Sequence, residues 1–329
     1  MTKSALPHSS ALSVLKIDPA QYNVPKKRMG GIALQNSLFY GSGTALVTPF
    51  CGNRIDFDAM ENLIDWQIDS GTDALIILGT TGEPCTISGS ERSAVLECAL
   101  ARCGRRVPLI AGVGSNDTRE AIRRAVEAQM LGADALLVVT PYYNRASRQG
   151  LIEHFTAIAD KVDLPVIMYN VPSRTGVNLE PSTVAELAKH PNLCAVKDAN
   201  SDLAHLTELA RLCGDGIAIY CGNDDCILPA MALGARGVIS VASNVIPSEI
   251  HALAMSWIKG DAKTCRELQL KWLSLIRLLF SEVSPIPVKA ALSMMNRIED
   301  TLRLPLTPMS PAPRELLRRE MKRSGLIDG

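Results

Sequence analysis

The feature that most constrains this chain is a regular alternation of short apolar runs with longer amphipathic stretches. The runs are Thr44 to Val47, Ala74 to Leu78, Pro108 to Ala111, Ala135 to Thr140, Pro165 to Tyr169, Leu193 to Lys197, Ile217 to Cys221 and Gly237 to Val241. Alternation of this kind belongs to parallel α/β proteins, in which each strand is followed by a crossover helix. Between the runs, Phe57, Met60, Leu63, Ile64 and Ile68 recur at three- and four-residue spacing and make one apolar stripe. Ile122, Ala125, Val126 and Met130 make another, after Asn116, Asp117 and Thr118, all residues suited to cap a helix. A weak internal repeat supports the pattern: SGTDALIIL at 70–78 matches LGADALLVV at 131–139. Each copy reads as a helix stop at glycine, a turn and a strand, and the offset of 61 residues is two strand-plus-helix units.

Eight such units predict a (β/α)8 barrel over residues 38–260. The competing architecture, an open doubly wound sheet, usually carries a glycine-rich phosphate turn after its first strand, and here that strand runs into Thr48, Pro49 and Phe50. Beyond Gly260 the periodicity is helical, through Leu268, Trp272, Leu275, Ile276 and Leu279 to Pro313–Lys322, so residues 261–329 are expected to be a helical appendage. Residues 1–37 lack sustained periodicity and are expected to be a disordered extension. Their Ser, Lys and Arg content, with no acidic residue before Asp18, leaves a plastid transit peptide as the alternative to a cytoplasmic protein.

Thirty-four basic residues balance 34 acidic ones, which gives no electrostatic footprint for nucleic acid or an anionic membrane. A small-molecule ligand is the expectation. Nine cysteines without a C-x-x-C pair read as free thiols, and no apolar stretch is long enough for a membrane span.

Barrel enzymes place their chemistry at strand C-termini. Following the predicted strands in order, these ends carry GTTGE at 79–83, PYYN at 141–144, YNVPSRTG at 169–176, Lys197, and Gly222-Asn223-Asp224. The lysine stands out, because it ends an apolar run where a charge costs several kcal/mol unless paired or neutralised. A lysine beside Asp198 is ordinarily a snorkelling or ion-paired surface group. In a partly dry barrel, however, desolvation favours the neutral amine, a nucleophile toward carbonyls that forms a Schiff base and so serves as an electron sink. Such chemistry needs a proton carrier. Tyr169 on the adjacent predicted strand, near a hydroxyl such as Thr80, can relay protons. Taken singly, the tyrosines read as half-buried packing, Thr-Thr-Gly as a turn and Arg174 as a loop charge; placed together at one rim, they read as a site.

Other chemistries are poorly supported. The five histidines show no ligand spacing, so no metal is expected, and GVGSND at 112–117 lacks the third glycine of a dinucleotide fingerprint.

GTTGEPCTIS, TPYYNRAS, YNVPSRTG, AVKDA, GVISVASN and TLRLPLTP together resemble the dihydrodipicolinate synthase family of the pyruvate-dependent class I aldolases, from about Phe39 to Leu326 and in the family's order. The resemblance implies a barrel that condenses pyruvate with L-aspartate 4-semialdehyde, at the entry to the diaminopimelate route to lysine. It implies no separate cofactor, since pyruvate is held covalently as a Schiff base on Lys197. Carried over by motif, Tyr169 is the proton donor and acceptor, connected through Thr80 to Tyr143, which in the family comes from the neighbouring subunit; the usual assembly is a homotetramer, a dimer of dimers. Thr81 and Ile239 would contact the pyruvate carboxylate and its surroundings, Gly222 would line the floor, and Arg174 would guard the entrance.

A guanidinium at 174 suits a semialdehyde bearing its own carboxylate, and the corresponding loop of sialic acid lyases lacks it. Asn116, Glu120 and Tyr142 match contacts of a lysine effector in feedback-inhibited relatives. Gly89 and Arg92 depart from them, where such relatives commonly carry histidine or tryptophan. Two other readings are weighed against catalysis by this route: a barrel that has lost activity and senses a keto acid or lysine, and an aldolase that prefers a sugar acid.

Overall fold

The computed structural model describes residues 38–328. Its chain opens with β1 (Gly41–Ala45), makes a small antiparallel hairpin from β2 (Phe50–Cys51) and β3 (Arg54–Ile55), and continues through β4 (Ala74–Ile77), β5 (Leu109–Gly112), β6 (Ala135–Val139), β7 (Val166–Asn170), β8 (Leu193–Asp198), β9 (Ala218–Cys221) and β10 (Gly237–Ser240). All except the hairpin are parallel and close into one barrel, each pairing with the next in the chain and β1 pairing with both β4 and β10. This is the expected eight-stranded barrel, and closure rules out the open sheet.

Local chemistry starts and stops the elements. Asp56 accepts the Ala59 N–H to cap Phe57–Asp69, Ser88 and Glu91 form a reciprocal capping box on Gly89–Cys103, and Asp117 accepts the Arg119 N–H to cap Thr118–Leu131. The internal repeat acquires a physical meaning. Asp73 accepts the Ser42 N–H at 2.7 Å, and Asp134 accepts the Leu109 N–H at 2.8 Å. Each repeated aspartate, sitting just before its own strand, thus satisfies a backbone donor of the neighbouring barrel strand, β1 for Asp73 and β5 for Asp134.

Seven strands lie within a residue of their expected bounds, whereas β1 begins three residues before Thr44. Its sequence, GSGTA, has little intrinsic strand preference. The barrel interior explains the composition: a Cβ at Gly43 would lie 2.8 Å from both Ile76 Cδ1 and Phe39 Cζ. Phe39 stacks on the buried ring of Tyr220 at 4.4 Å, and Tyr220 Oη donates to the Phe39 carbonyl, so bulky side chains fill the lumen that β1 must leave open. The same lumen takes Ile76, Ile110, Leu137, Ile167, Ala195 and Ile239, while the larger apolar cluster lies between strands and helices.

Ala262–Leu279, Ile286–Met294 and Pro311–Arg323 form the helical C-terminal region. It is tied to the barrel by Gln269, which donates to the Asp224 carbonyl at 3.0 Å, and by Lys289, which pairs with Glu83 at 2.6 Å. The extension expected over residues 1–37 lies outside the described residues. No helix among the described residues is long and apolar enough to cross a membrane.

Candidate active site

Whether Lys197 faces the lumen is decided by strand phase. In β7, Val166 and Met168 face the helices, and Ile167 and Tyr169 face inward. Pairing with β8 shifts register between Val166↔Leu193 and Ile167↔Ala195, so Cys194 is an extra residue, a bulge. Beyond it the two strands run in step, with Tyr169 opposite Lys197 and Asn170 opposite Asp198. The bulge therefore sets the phase that turns Lys197 inward with Tyr169.

The result answers the question the apolar run raises. Lys197 is only 4 % exposed, and its Nζ lies 4.4 Å from the centroid of the Tyr169 ring, itself 6 % exposed. Among the described residues Lys197 makes no ion pair with a carboxylate. Asp198, the neighbour that could have neutralised it, points to the other side of the strand and accepts from Asn170 Nδ2 at 2.8 Å. The lysine is neither a snorkelling surface group nor half of an ion pair with Asp198.

The other expected residues distribute unevenly. Thr80 and Thr81 form the 3-10 turn after β4, with Thr81 buried and Thr80 half-buried. Ile239 lies in β10, wholly buried in the lumen cluster. Arg174, on the short helix Pro172–Thr175, donates from Nη2 to the Ser284 carbonyl at 3.0 Å, which fixes it between the β7 loop and the C-terminal helices. Gly222 follows β9 and donates its N–H to the Asp198 carbonyl at 2.7 Å; a Cβ there would lie 2.7 Å from Ala199 Cβ and 2.9 Å from the Asp198 oxygen. Gly222→Ala is accordingly expected to push back the strand end that carries Lys197 and to lower turnover by about tenfold or more, read from initial rates with circular dichroism confirming the fold.

Tyr143 is the outlier. It is 90 % exposed, with a left-handed φ of 70°, and none of the hydrogen bonds among the described residues joins it to Thr80 or Tyr169. Tyr142 beside it is half-buried, and burial raises its phenol above the ordinary range. Asn144 Nδ2 donates to the Asn116 carbonyl at 2.9 Å, bringing the Tyr142–Asn144 segment against Asn116. Glu120 is already engaged, bonded to Arg123 at 2.8 and 2.9 Å and to Arg124 at 2.7 Å, and the Arg123 hydrogen bonds foremost lower its carboxyl to about 2. Arg92 is buried, with Nη2 donating to the Gly112 carbonyl at 2.7 Å. A cavity of about 180 Å³ lined in part by His190, Cys194 and Arg236 lies at the opposite, N-terminal ends of β8 and β9, away from Lys197.

Sequence reasoning missed Glu83. It adopts left-handed φ at the end of the Thr80–Gly82 turn and is buried against Lys289, whose Nζ also lies 4.1 Å from the centroid of the Phe50 ring. The pair anchors the turn that presents Thr80 and Thr81. Its only sequence signal is a lysine in the apolar stretch Ile286–Leu292, the same signal that exposed Lys197.

A closed (β/α)8 barrel with a buried lysine held against a tyrosine ring at the C-terminal ends of its strands defines a barrel enzyme of the lysine-dependent aldolase class. Comparison with known proteins narrows this. The model of the dihydrodipicolinate synthetase family matches residues 38–324. The 4-hydroxy-tetrahydrodipicolinate synthase of Alkaliphilus oremlandii is 50 % identical over 290 residues, covering 88 % of this chain and all of the relative. Among solved structures, the chloride-inhibited dihydrodipicolinate synthase from Acinetobacter baumannii complexed with pyruvate is 42 % identical with a TM-score of 0.86, covering 88 % of this chain and 99 % of that one. The enzyme from Cyanidioschyzon merolae with lysine bound is 36 % identical with a TM-score of 0.86, covering 89 % and 100 %. The chain belongs to the dihydrodipicolinate synthetase family.

Proposed function

We propose that this chain is a 4-hydroxy-tetrahydrodipicolinate synthase that joins pyruvate to L-aspartate 4-semialdehyde through a Schiff base on Lys197. The observation that carries the reading is the Lys197–Tyr169 pair, an amine 4.4 Å from a phenol ring at the barrel mouth. The amine attacks the ketone carbon of pyruvate, water leaves, and an iminium forms. Loss of a methyl proton gives the enamine, whose carbon adds to the aldehyde of the second substrate. Tyr169 carries protons for these steps from its place beside the amine. Thr81 and Ile239 contact the bound keto acid, Gly222 keeps the floor open, and Arg174 receives the carboxylate of the semialdehyde. The Acinetobacter relative binds pyruvate, which supports the first substrate.

Tyr143 serves the mouth of a second protomer. Its exposure and left-handed backbone suit a side chain held out to a partner, and a homotetramer built as a dimer of dimers is the expected assembly, to be read by sedimentation. The cell compartment is the cytoplasm on this account.

The test is a coupled assay in which the product is consumed by a dihydrodipicolinate reductase. Turnover with the semialdehyde, and none with sugar acids, supports the reading; a purified, folded protein without turnover overturns it. In the same assay, added lysine is expected to leave the rate unchanged. Lysine's ammonium needs a carboxylate, and the one at Glu120 is held by two guanidiniums, with a third, Arg92, buried nearby. Inhibition by lysine would mean that Glu120 exchanges its arginine partners for the effector.

A further inference from the structure

Behind the reacting pair lies a polar cluster to which nothing above gives a role. Because side chains alternate along a strand, turning Tyr169 and Lys197 inward turns Asn170 and Asp198 outward. Asn170 is 1 % exposed and fully used: Oδ1 accepts from Leu179 N at 2.9 Å, while Nδ2 donates to Asp198 Oδ1 at 2.8 Å and to Asn178 Oδ1 at 3.0 Å. His205, on the helix Leu203–Cys213 that follows β8, has Nε2 3.6 Å from the same Asp198 oxygen and Nδ1 3.4 Å from Asn178 Nδ2. Asn178 also accepts from Asn200 Nδ2 at 3.1 Å. The side chains of Asp198 and His205 are 2 % and 6 % exposed.

The cluster thus spans the ends of the two strands that carry Tyr169 and Lys197, the loop after Arg174, and the next helix. A buried polar network that is nearly satisfied locks geometry as an apolar contact cannot, and reacting groups need support of that kind. We propose that Asn170, Asp198 and His205 are positioning residues for the reaction: they fix the ends of β7 and β8 against each other so that the Lys197 amine stays over the Tyr169 ring. The inference rests on the Schiff-base reading given above.

The imidazole provides a readout that packing alone would not. Burial by itself lowers the pKa of His205, but the negative charge of the Asp198 carboxylate 3.6 Å away, with Glu180 and Asp202 adding to it, outweighs burial and holds it above its ordinary range. A folded-state pKa raised in this way stabilises the protein fully below the unfolded value, near pH 6.5, and the contribution is lost as pH rises through the folded value.

His205→Gln, Asn170→Ser, Asp198→Asn and Asp198→Glu, made in the full chain, test the proposal. His205→Gln, Asn170→Ser and Asp198→Asn are expected to lower kcat by about tenfold or more, with KM for pyruvate shifted by less than about threefold. Asp198→Glu, which keeps the carboxylate, retains most of the rate. The melting-temperature difference between wild type and His205→Gln is expected to be largest below pH 6.5 and to vanish at alkaline pH. Folded variants with wild-type kcat would overturn the proposal, as would equal losses in Asp198→Asn and Asp198→Glu, or a melting difference independent of pH. Borohydride trapping of pyruvate keeps the two levels apart. If wild type forms no adduct, the Schiff-base reading fails; if wild type forms it and the variants turn over normally, positioning alone fails.

Discussion

Lys197→Met is expected to abolish turnover, by on the order of 10⁴-fold or more, while leaving the protein at least as stable as wild type. The first effect follows from losing the nucleophile, since among the described residues no other amine stands at the ring of Tyr169. The second follows from burial. Lys197 is 4 % exposed and has no ion pair among the described residues, so folding bears the cost of its desolvation without the return a carboxylate partner would give. Methionine has similar length and no polar head, and replacing a buried polar group that lacks a carboxylate partner by an apolar one is neutral or stabilising. Initial rates and thermal melts on the same preparation check both halves. A variant that is dead because it melts far below wild type would show instead that Lys197 is structural.

The other lysine in an apolar segment should behave in the opposite way. Lys289→Met is expected to destabilise the protein by about 3–5 kcal/mol, because it leaves Glu83 buried without its partner. The side chains of Lys289 and Glu83 are 0 % and 1 % exposed and 2.6 Å apart, and among the described residues the carboxylate accepts, besides Lys289, only the Arg303 N–H, at 3.3 Å. Burial lowers the Lys289 ammonium below its ordinary range, with Glu83 opposing. Denaturant unfolding measures the loss, and the double variant Glu83→Gln/Lys289→Met should recover much of it, since both charges are then gone. Equal stability of the single variant and wild type would remove the anchor assigned to the Thr80–Gly82 turn.

The contrast between the two lysines marks how far the sequence can be read. Periodicity finds seven barrel strands nearly to the residue, because strands covered on both faces must be apolar throughout. It misplaces the start of β1, where Gly43 leaves room for Phe39 and Ile76 and Gly41 for Asp73, close approaches set by the closed barrel rather than by any local preference. Lys197 and Tyr169 are legible as strand-end residues. Their meeting depends on the bulge at Cys194, which carries no signal in an apolar run. Partners far apart in the chain are hidden for the same reason: Glu83 and Lys289 are 206 residues apart, and only the closed fold brings them together. Asn170, Asp198 and His205 carry no joint signal in the sequence, and only the register of the closed barrel places them together behind Lys197 and Tyr169. Motif resemblance proposes what spacing could not, including roles for Thr81, Gly222 and Ile239, and it singles out Tyr143, which is 90 % exposed in this chain.

The central claim is a covalent bond between one amine and a keto acid, and trapping tests it most directly. The protein is incubated with pyruvate, reduced with borohydride, digested and mapped by mass spectrometry. The account predicts one reduced pyruvyl group per chain, on the peptide containing Lys197, and none in Lys197→Met. An unmodified wild-type protein, or an adduct on another lysine with Lys197 free, would contradict it.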